Sequence, residues 1–166
     1  VFVCISGAAF DGHQFAAQAA EKGAAAIVIE KDVQVPETLT VIRVENTRLA
    51  LAEMSAAYFG YPAEELTTIG ITGTKGKTTI TYMIRQVLEH AGQKTGLIGT
   101  IETIIGDERI PSVNTTPESY VVQESFRKMA DAGCKNVVME VSSQGLMLHR
   151  VGGFTFDYGM FTNLAE

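Results

Sequence analysis

The fold is decided by the stretch TTIGITGTKGKTT at positions 67–79. Its first half, residues 67–72, is rich in β-branched side chains and predicts a buried strand. Its second half is a glycine-rich turn that opens a helix, because apolar residues recur at intervals of three and four from Ile80 to Ala91. A strand that runs through a glycine-rich turn into an amphipathic helix is the setting of a phosphate-binding loop. We therefore predict an α/β domain built around a nucleotide site.

The loop itself, residues 73–79, has the chemistry that phosphate oxygens need. Glycines allow backbone N–H groups to converge on one point, and the following helix presents the positive end of its dipole there. The Lys77 ammonium can reach the β- and γ-phosphates, and the Thr78 hydroxyl suits Mg²⁺. The spacing departs from the strict form Gly-x-x-x-x-Gly-Lys-Thr, since position 71 is Ile. A glycine-rich turn with an incidental lysine is therefore the alternative interpretation.

Glu140 is the second candidate for the same site. It ends the apolar run 136–139, where a carboxylate is costly to bury unless it is paired or binds metal. Open α/β sheets collect their ligands at the carboxyl ends of parallel strands, so a strand over 136–141 would bring Glu140 towards the loop. We expect Thr78 and Glu140 to hold Mg²⁺. The alternative is an edge position in which Glu140 faces water.

The rest of the chain alternates strand-like and helix-like segments, which predicts parallel βαβ units. Strands are predicted near residues 1–6, 25–30, 40–45, 67–72, 94–100, 136–141 and 156–162, and an antiparallel excursion over 101–113. Helices are predicted over 13–22, 47–59, 80–91 and 117–132, with a loop or short helix over 142–149. The pattern starts afresh near residues 61–66, so we predict two domains, residues 1–66 and 67–166. Both ends fall beside strand-like runs, and we expect a piece of a longer protein.

Composition excludes several classes of protein. The 166 residues are 46% hydrophobic and 19% charged, which is typical of a globular chain and not of a disordered one. The net charge of −6 argues against a nucleic-acid binder that relies on a basic surface. The chain has no apolar run of the ~18 residues that a transmembrane helix needs, so we expect no membrane span. Cys4 and Cys134 are predicted to be buried free thiols in a reducing compartment.

Four motifs then occur in order along the chain: Ile71–Thr79, Asn114–Glu118, Glu140–Leu146 with Arg150, and Phe161–Leu164. Together they resemble the Mur ligases of peptidoglycan synthesis, and within that family the MurE type. The phosphate loop alone marks a wider superfamily that includes folylpolyglutamate synthases, whereas Asn-Thr-Thr-Pro together with Glu-Val-Ser-Ser is much more specific. Residues 1–60 also resemble the end of the family's UDP-binding N-terminal domain. The resemblance implies part of that α/β domain, followed by the first part of a mostly parallel P-loop α/β domain.

The activity that the resemblance implies is ATP-dependent amide bond formation, with ATP and Mg²⁺ as cofactors. In the family, the D-Glu carboxylate of UDP-N-acetylmuramoyl-L-Ala-D-Glu attacks the γ-phosphate of ATP. The amine of a third amino acid then displaces phosphate from the acyl phosphate. This chemistry suits a site whose residues position reactants and neutralise charge. The resemblance further implies a cytoplasmic enzyme that is monomeric at full length, takes small-molecule substrates, and has no nucleic-acid or membrane partner.

Site residues follow from the resemblance in three groups. The ATP phosphates are expected to bind Gly73, Thr74, Lys75, Gly76, Lys77, Thr78 and Thr79. The catalytic candidates are Lys77 and Glu140, and the metal ligands are Thr78 and Glu140. The UDP-muramoyl peptide is expected to contact Asn114, Thr115, Thr116, Ser142 and Arg150. The family contacts uridine at residues 7–10, where the side chains Ala8, Ala9 and Phe10 would leave only backbone groups or ring stacking.

Other interpretations stay open. Because the family also uses a C-terminal domain, we expect the chain to be inactive by itself. A stand-alone P-loop nucleotide-binding protein, a MurF-type or folylpolyglutamate ligase, and a non-catalytic UDP-sugar module are the alternatives. Among single residues, His13 is interpreted as a surface residue at a helix start. The methionines Met83, Met129 and Met139 are interpreted as core.

Overall fold

A computed structural model describes residues 1–7 and 10–164 of the chain. The chain divides into two units, Val1–Leu51 and Ala52–Glu166. This division lies fifteen residues before the predicted boundary between residues 66 and 67, and the assignment of residues 1–66 and 67–166 to two domains stays a prediction.

The first unit is a small parallel sheet in the order β1-β2-β3. The strands are β1 (Phe2–Val3), β2 (Ala26–Ile29) and β3 (Thr40–Arg43). A 3₁₀ turn (Gly12–Phe15) and helix α1 (Ala16–Glu21) connect the first two strands, and Gly23 follows the helix with φ of 87°. Buried apolar side chains, including Cys4, Ala16 and Ile27, form the core of this unit. Helix α2 (Thr47–Tyr58) begins here and continues past residue 51.

The second unit is a larger sheet in the order β7-β6-β5-β8-β4-β9. Its strands are β4 (Thr67–Thr72), β5 (Thr95–Ile98), β6 (Glu102–Ile105), β7 (Glu108–Pro111), β8 (Asn136–Glu140) and β9 (Tyr158–Phe161). Its helices are a 3₁₀ turn (Pro62–Glu65), α3 (Lys77–His90), α4 (Ser119–Asp131) and α5 (Ser143–Met147). Strands β5, β8, β4 and β9 are parallel, and β6 and β7 form the predicted antiparallel excursion. The predicted fold class, mostly parallel α/β, is confirmed.

Helix α4 shows how the sequence packs this sheet. Val122, Phe126 and Met129 recur at intervals of four and three and are fully buried, so one face of the helix enters the core. On strand β5, position 96 is Gly, and a Cβ there would come within 2.4 Å of Met129 Sδ. The missing side chain therefore makes room for the helix. None of the helices in the described part of the chain is long and apolar enough to cross a membrane.

Several predictions for single residues have clear outcomes. Cys4 and Cys134 are buried and free, and Met129 and Met139 are core, as predicted. Met83 is 59% exposed, so its assignment to the core is wrong. Pro117 was expected in the first helical turn, but α4 begins only at Ser119.

His13 is also not the surface residue that was predicted. It is buried, and its Nε2 accepts a hydrogen bond of 3.1 Å from the Glu30 backbone N–H. A neutral ring with Nε2 as acceptor carries its proton on Nδ1, which lies 2.6 Å from Asp11 Oδ1. Hydrogen bonds from the Lys31 ammonium and from His13 hold the pKa of Asp11 well below its usual range. His13 therefore belongs to a polar network with Asp11, Glu30 and Lys31, which lies just after the carboxyl end of strand β2.

Candidate active site

The phosphate-loop candidate lies between β4 and α3, as its position in the sequence predicts. Gly73 and Gly76 have φ of 133° and 85°, values that side chains rarely adopt. Helix α3 begins at Lys77, so the backbone N–H groups of its first turn face the loop. The glycine-rich turn thus has the positive φ angles and the following helix that the predicted phosphate loop requires.

The motif Phe161–Leu164 braces this loop. The Thr162 hydroxyl donates to Lys75 O over 2.8 Å, and the Lys75 N–H donates to Asn163 Oδ1 over 3.1 Å. Gly73 packs so closely against Thr162 that a Cβ on Gly73 would lie 2.1 Å from Thr162 Oγ1. Two motifs that are almost ninety residues apart are therefore joined by hydrogen bonds.

Lys77 turns its ammonium back onto the loop. Nζ donates to Gly73 O over 2.7 Å and to Thr74 O over 3.4 Å. These carbonyls hold the amine beside the loop, where an incoming phosphate would compete with them for it. Both partners are neutral carbonyl groups of the loop, so neither bond is an ion pair.

Glu140 ends β8, which lies between β5 and β4 in the sheet. Its side chain is 1% exposed, so the alternative of an edge position facing water is wrong. Oε2 accepts hydrogen bonds from Thr78 Oγ1 (2.9 Å) and Thr100 Oγ1 (3.1 Å), and Oε1 accepts one from the Thr100 backbone N–H (2.9 Å). The structure therefore brings the two predicted metal ligands, Thr78 and Glu140, into direct contact.

This carboxylate fits a Mg²⁺ ion. The donors just described are neutral, and a buried carboxylate gains when a cation joins it. Mg²⁺ prefers oxygen ligands, and it commonly takes one or two carboxylates with the rest from phosphate and water. Within residues 1–7 and 10–164 there is no cluster of three or more His, Cys, Asp or Glu side chains. A metal here would thus depend on Glu140, the Thr78 hydroxyl and oxygens supplied by a nucleotide.

The predicted substrate contacts fall into two sets. The first set is Thr116, Ser142 and Arg150, which are joined by hydrogen bonds to one another and to the Glu140 backbone. Thr116 Oγ1 donates to Glu140 O (3.0 Å) and accepts from the Ser142 N–H (2.9 Å), while Arg150 Nη1 donates to Thr116 O (3.0 Å). These contacts hold the loop that bears Thr115, whose hydroxyl lies 3.0 Å from Thr100 Oγ1.

Asn114, predicted to contact the muramoyl peptide, lines a different cavity from the one over the phosphate loop. It lines a cavity of about 410 Å³ between α4 and the β6–β7 excursion. A separate cavity of about 390 Å³ lies over the loop and is lined by Thr72, Gly73, Thr74, Lys77, Ser142, Ser143, Phe161, Asn163 and Leu164. Of the predicted uridine loop, Ala8 and Ala9 lie outside the described residues, and Phe10 is 74% exposed.

Thr100, with Gly99 before it, was missed in the sequence. A Cβ on Gly99 would lie 2.6 Å from Glu140 Oε1, and Thr100 makes two of the hydrogen bonds to that carboxylate. A signal was available, because Gly99-Thr100 follows strand β5 and the carboxyl end of β5 lies beside that of β8. The rule that singled out Glu140 applies equally to Thr100.

The turn that bears Thr100 is tied to helix α3. The Gly99 N–H donates to Glu102 O over 3.1 Å, and the Tyr82 hydroxyl donates to Glu102 Oε1 over 2.8 Å. Burial, together with that hydrogen bond, raises the pKa of Tyr82 to about 12. Tyr82 therefore stays a neutral donor over the physiological range, and it links the helix behind the phosphate loop to the turn beside Glu140.

Comparison with known proteins gives this geometry a context. Residues 71–166 match the model of the Mur ligase middle domain, and residues 1–59 match that of the Mur ligase family catalytic domain. The chain is 52% identical, over 99% of its length, to the UDP-N-acetylmuramoyl-L-alanyl-D-glutamate--2,6-diaminopimelate ligase of Clostridium perfringens. A similar ligase from Bacillus licheniformis is 50% identical over the whole chain. The chain spans about a third of both relatives, with 34% of each covered.

A solved structure of a ligase with the same name has a TM-score of 0.80 at 26% identity. The match covers 93% of this chain and 31% of that one. The predicted boundary between residues 66 and 67 lies in the gap between the two family matches.

Proposed function

Because the chain belongs to the Mur ligase family, we propose that it carries the phosphate and metal side of an ATP-dependent amide ligase. Its substrate would be UDP-N-acetylmuramoyl-L-Ala-D-Glu, and the reaction would extend the peptide by one amino acid through an acyl phosphate. The observation that carries the proposal is the contact of Thr78 and the buried Glu140 beside a glycine-rich loop that ends in Lys77. By analogy with the names of the relatives, the added amino acid is 2,6-diaminopimelate.

Each residue has a defined task in this proposal. The loop N–H groups and the start of α3 would bind phosphate oxygens, and Lys77 would exchange its two loop carbonyls for them. Mg²⁺, when bound to Thr78 and Glu140, would supply neutralisation of charge on the β- and γ-phosphates. Thr115, Ser142 and Arg150 would orient the muramoyl peptide so that its D-Glu carboxylate meets the γ-phosphate in line.

The proposed enzyme acts in the cytoplasm as a monomer, on small molecules. Because the net charge of −6 does not attract anions, the anionic substrates would depend on local donors such as the loop N–H groups and Lys77. The first unit would supply the uridine site.

Calorimetry tests the phosphate site. The chain should bind ADP in the presence of Mg²⁺, and Lys77→Ala should weaken this affinity about tenfold to a hundredfold, the value of one or two hydrogen bonds from a charged group. Lys128→Ala is the matched control, because Lys128 is an exposed lysine on α4 that pairs with Glu124. Equal ADP affinity in Lys77→Ala and the control would contradict the site.

A turnover assay separates the ligase from a stand-alone nucleotide hydrolase. The ligase proposal expects no ATP turnover by this chain, either alone or with UDP-N-acetylmuramoyl-L-Ala-D-Glu, because the chain spans a third of its relatives. Steady hydrolysis of ATP without the dipeptide would favour the stand-alone class.

A further inference from the structure

The hydroxyl groups of Thr115 and Thr100 and the carboxylate of Glu140 form a chain of hydrogen bonds. Thr115 Oγ1 lies 3.0 Å from Thr100 Oγ1, which lies 3.1 Å from Glu140 Oε2. The Glu140 oxygens accept from the backbone N–H and the hydroxyl of Thr100, and a hydroxyl has one proton to donate. Thr100 therefore donates to Glu140, and the proton between the two threonines comes from Thr115.

This polarity limits what Thr115 can offer to a ligand. Its one proton is committed to Thr100, so the remaining lone pairs of its oxygen can only accept. A ligand group that meets Thr115 without breaking the chain is an O–H or N–H donor, such as a sugar hydroxyl or an amide. A carboxylate or phosphate oxygen would have to pull the proton away from Thr100.

The direction of these hydrogen bonds also matters for the Mg²⁺ site proposed at Glu140. Thr100 anchors both carboxylate oxygens, one by its backbone N–H (2.9 Å) and one by its hydroxyl, while Thr78 approaches Oε2 from α3. A donor bound to Thr115 Oγ1 polarises the Thr115 O–H, and this strengthens in turn the hydrogen bonds from Thr115 to Thr100 and from Thr100 to the carboxylate, whose orientation they hold. The conformational entropy of these side chains is then lost when the first ligand binds, and the second ligand binds to side chains that are already ordered.

We propose that Thr100 is a positioning residue that couples the two halves of the site. A hydrogen-bond donor of the muramoyl peptide at Thr115 strengthens Mg²⁺ binding at Glu140, and Mg²⁺ strengthens binding of the peptide by the same factor. This inference rests on the proposed function, because it takes the peptide as the ligand at Thr115 and Mg²⁺ as the ligand at Glu140.

Binding measurements on the chain test the coupling. With ADP saturating throughout, UDP-N-acetylmuramoyl-L-Ala-D-Glu is titrated with and without saturating Mg²⁺, and Mg²⁺ is titrated with and without the dipeptide. In the parent chain each ligand should raise the affinity of the other about fivefold or more. Thr100→Val keeps the branched shape and the backbone N–H but loses the hydroxyl. It should lower Mg²⁺ affinity about tenfold or more and reduce the coupling factor to about one. Thr100→Ser should restore both.

The outcomes distinguish this inference from the proposed function. If the parent chain binds neither Mg²⁺ with ADP nor the dipeptide, the proposed function fails and the inference fails with it. If the parent chain binds both ligands but without coupling, or if Thr100→Val couples them as the parent chain does, the inference alone fails. A merely structural role for Thr100 would lower the melting temperature of Thr100→Val and leave its coupling factor unchanged.

Discussion

Glu140 shows how one buried charge can organise a site. Its carboxylate receives hydrogen bonds from the first turn of α3 and from the turn after β5, and its backbone carbonyl accepts from Thr116. Such a group is costly to bury with neutral partners alone, and proteins keep costly groups where a ligand compensates them. In the proposed function this arrangement would be preorganised for Mg²⁺, because Oε2 is hydrogen-bonded to Thr78 in the first turn of the helix that follows the phosphate loop.

Gly99→Ala tests this arrangement from the side of the carboxylate. The added Cβ would lie 2.6 Å from Glu140 Oε1, so the carboxylate has to leave its hydrogen bond with the Thr100 N–H. We expect Mg²⁺-dependent ADP affinity to fall about tenfold, as for other groups that orient a metal ligand. The free energy of unfolding should fall by about 1–3 kcal/mol because of the overpacking. Calorimetry and urea unfolding measure the two effects.

Gly159→Ala is the matched control for that substitution. Gly159 lies on strand β9, and a Cβ there would meet no atom within 4 Å. Its ADP affinity should equal that of the parent chain. A Gly99→Ala variant that behaves like Gly159→Ala would show that the Glu140 carboxylate tolerates displacement.

Single residues were predictable where a local pattern decides their environment. Glu140 and Lys77 were found because a strand end and a glycine-rich turn place them, whatever the rest of the chain does. His13 and Met83 were misjudged because their burial depends on distant partners. His13 is covered through its contact with Glu30, seventeen residues away, and Met83 lies on the side of α3 that the sheet leaves exposed.

Strand β4 lies between β8 and the edge strand β9 in the larger sheet. It pairs with β8 on one side and with β9 on the other. Its bounds, Thr67–Thr72, agree with the sequence prediction because β-branched residues and the glycine loop mark both ends. The position of strand β3 was predicted, but its burial was not. All four of its residues are exposed, in spite of an alternating pattern typical of a half-buried strand.

Asp157 fastens β9 to β4 and should make their association sensitive to pH. Its Oδ2 accepts hydrogen bonds from the Thr68 backbone N–H (2.7 Å) and hydroxyl (2.9 Å). These bonds, the backbone N–H first, hold the pKa of Asp157 below its ordinary value of 3.8. A depressed folded pKa contributes stability above the unfolded pKa, and this stability is lost as pH falls through the folded pKa.

Asp157→Asn should therefore unfold more easily than the parent chain at pH 7, by less than about 1 kcal/mol because solvent screens this exposed side chain. The difference should shrink as pH falls below 3.8 towards the lowered folded pKa, where the parent carboxylate becomes protonated. Urea unfolding across this range measures it. Asp107→Asn, in the exposed β6–β7 turn, is the control, because it removes a carboxylate that makes neither of these hydrogen bonds. A difference that stays constant with pH would rule out the carboxylate as its source.

The division into two units separates the residues that are predicted to bind different ligands. All the predicted phosphate, metal and peptide residues, from Gly73 to Arg150, belong to the second unit. The predicted uridine loop belongs to the first. The chain therefore predicts two ligand responses that an experiment can separate, and this separation tests the domain assignment, which rests on composition and resemblance.

Hydrogen exchange measured by mass spectrometry reads the two responses in one experiment. A ligand stabilises the unit that binds it, by about 2.7 kcal/mol at a concentration a hundred times its Kd, which slows exchange about a hundredfold where amides exchange through unfolding of that unit. Mg²⁺ with ADP should thus protect α3 and β8, and UDP should protect β2 and α1. Lys77→Ala should reduce the first effect to about twofold to tenfold and leave the second, because Lys77 donates to Gly73 O and Thr74 O in the loop of its own unit. Protection of β2 by ADP, or of β8 by UDP, would contradict the assignment of phosphate and uridine to separate units.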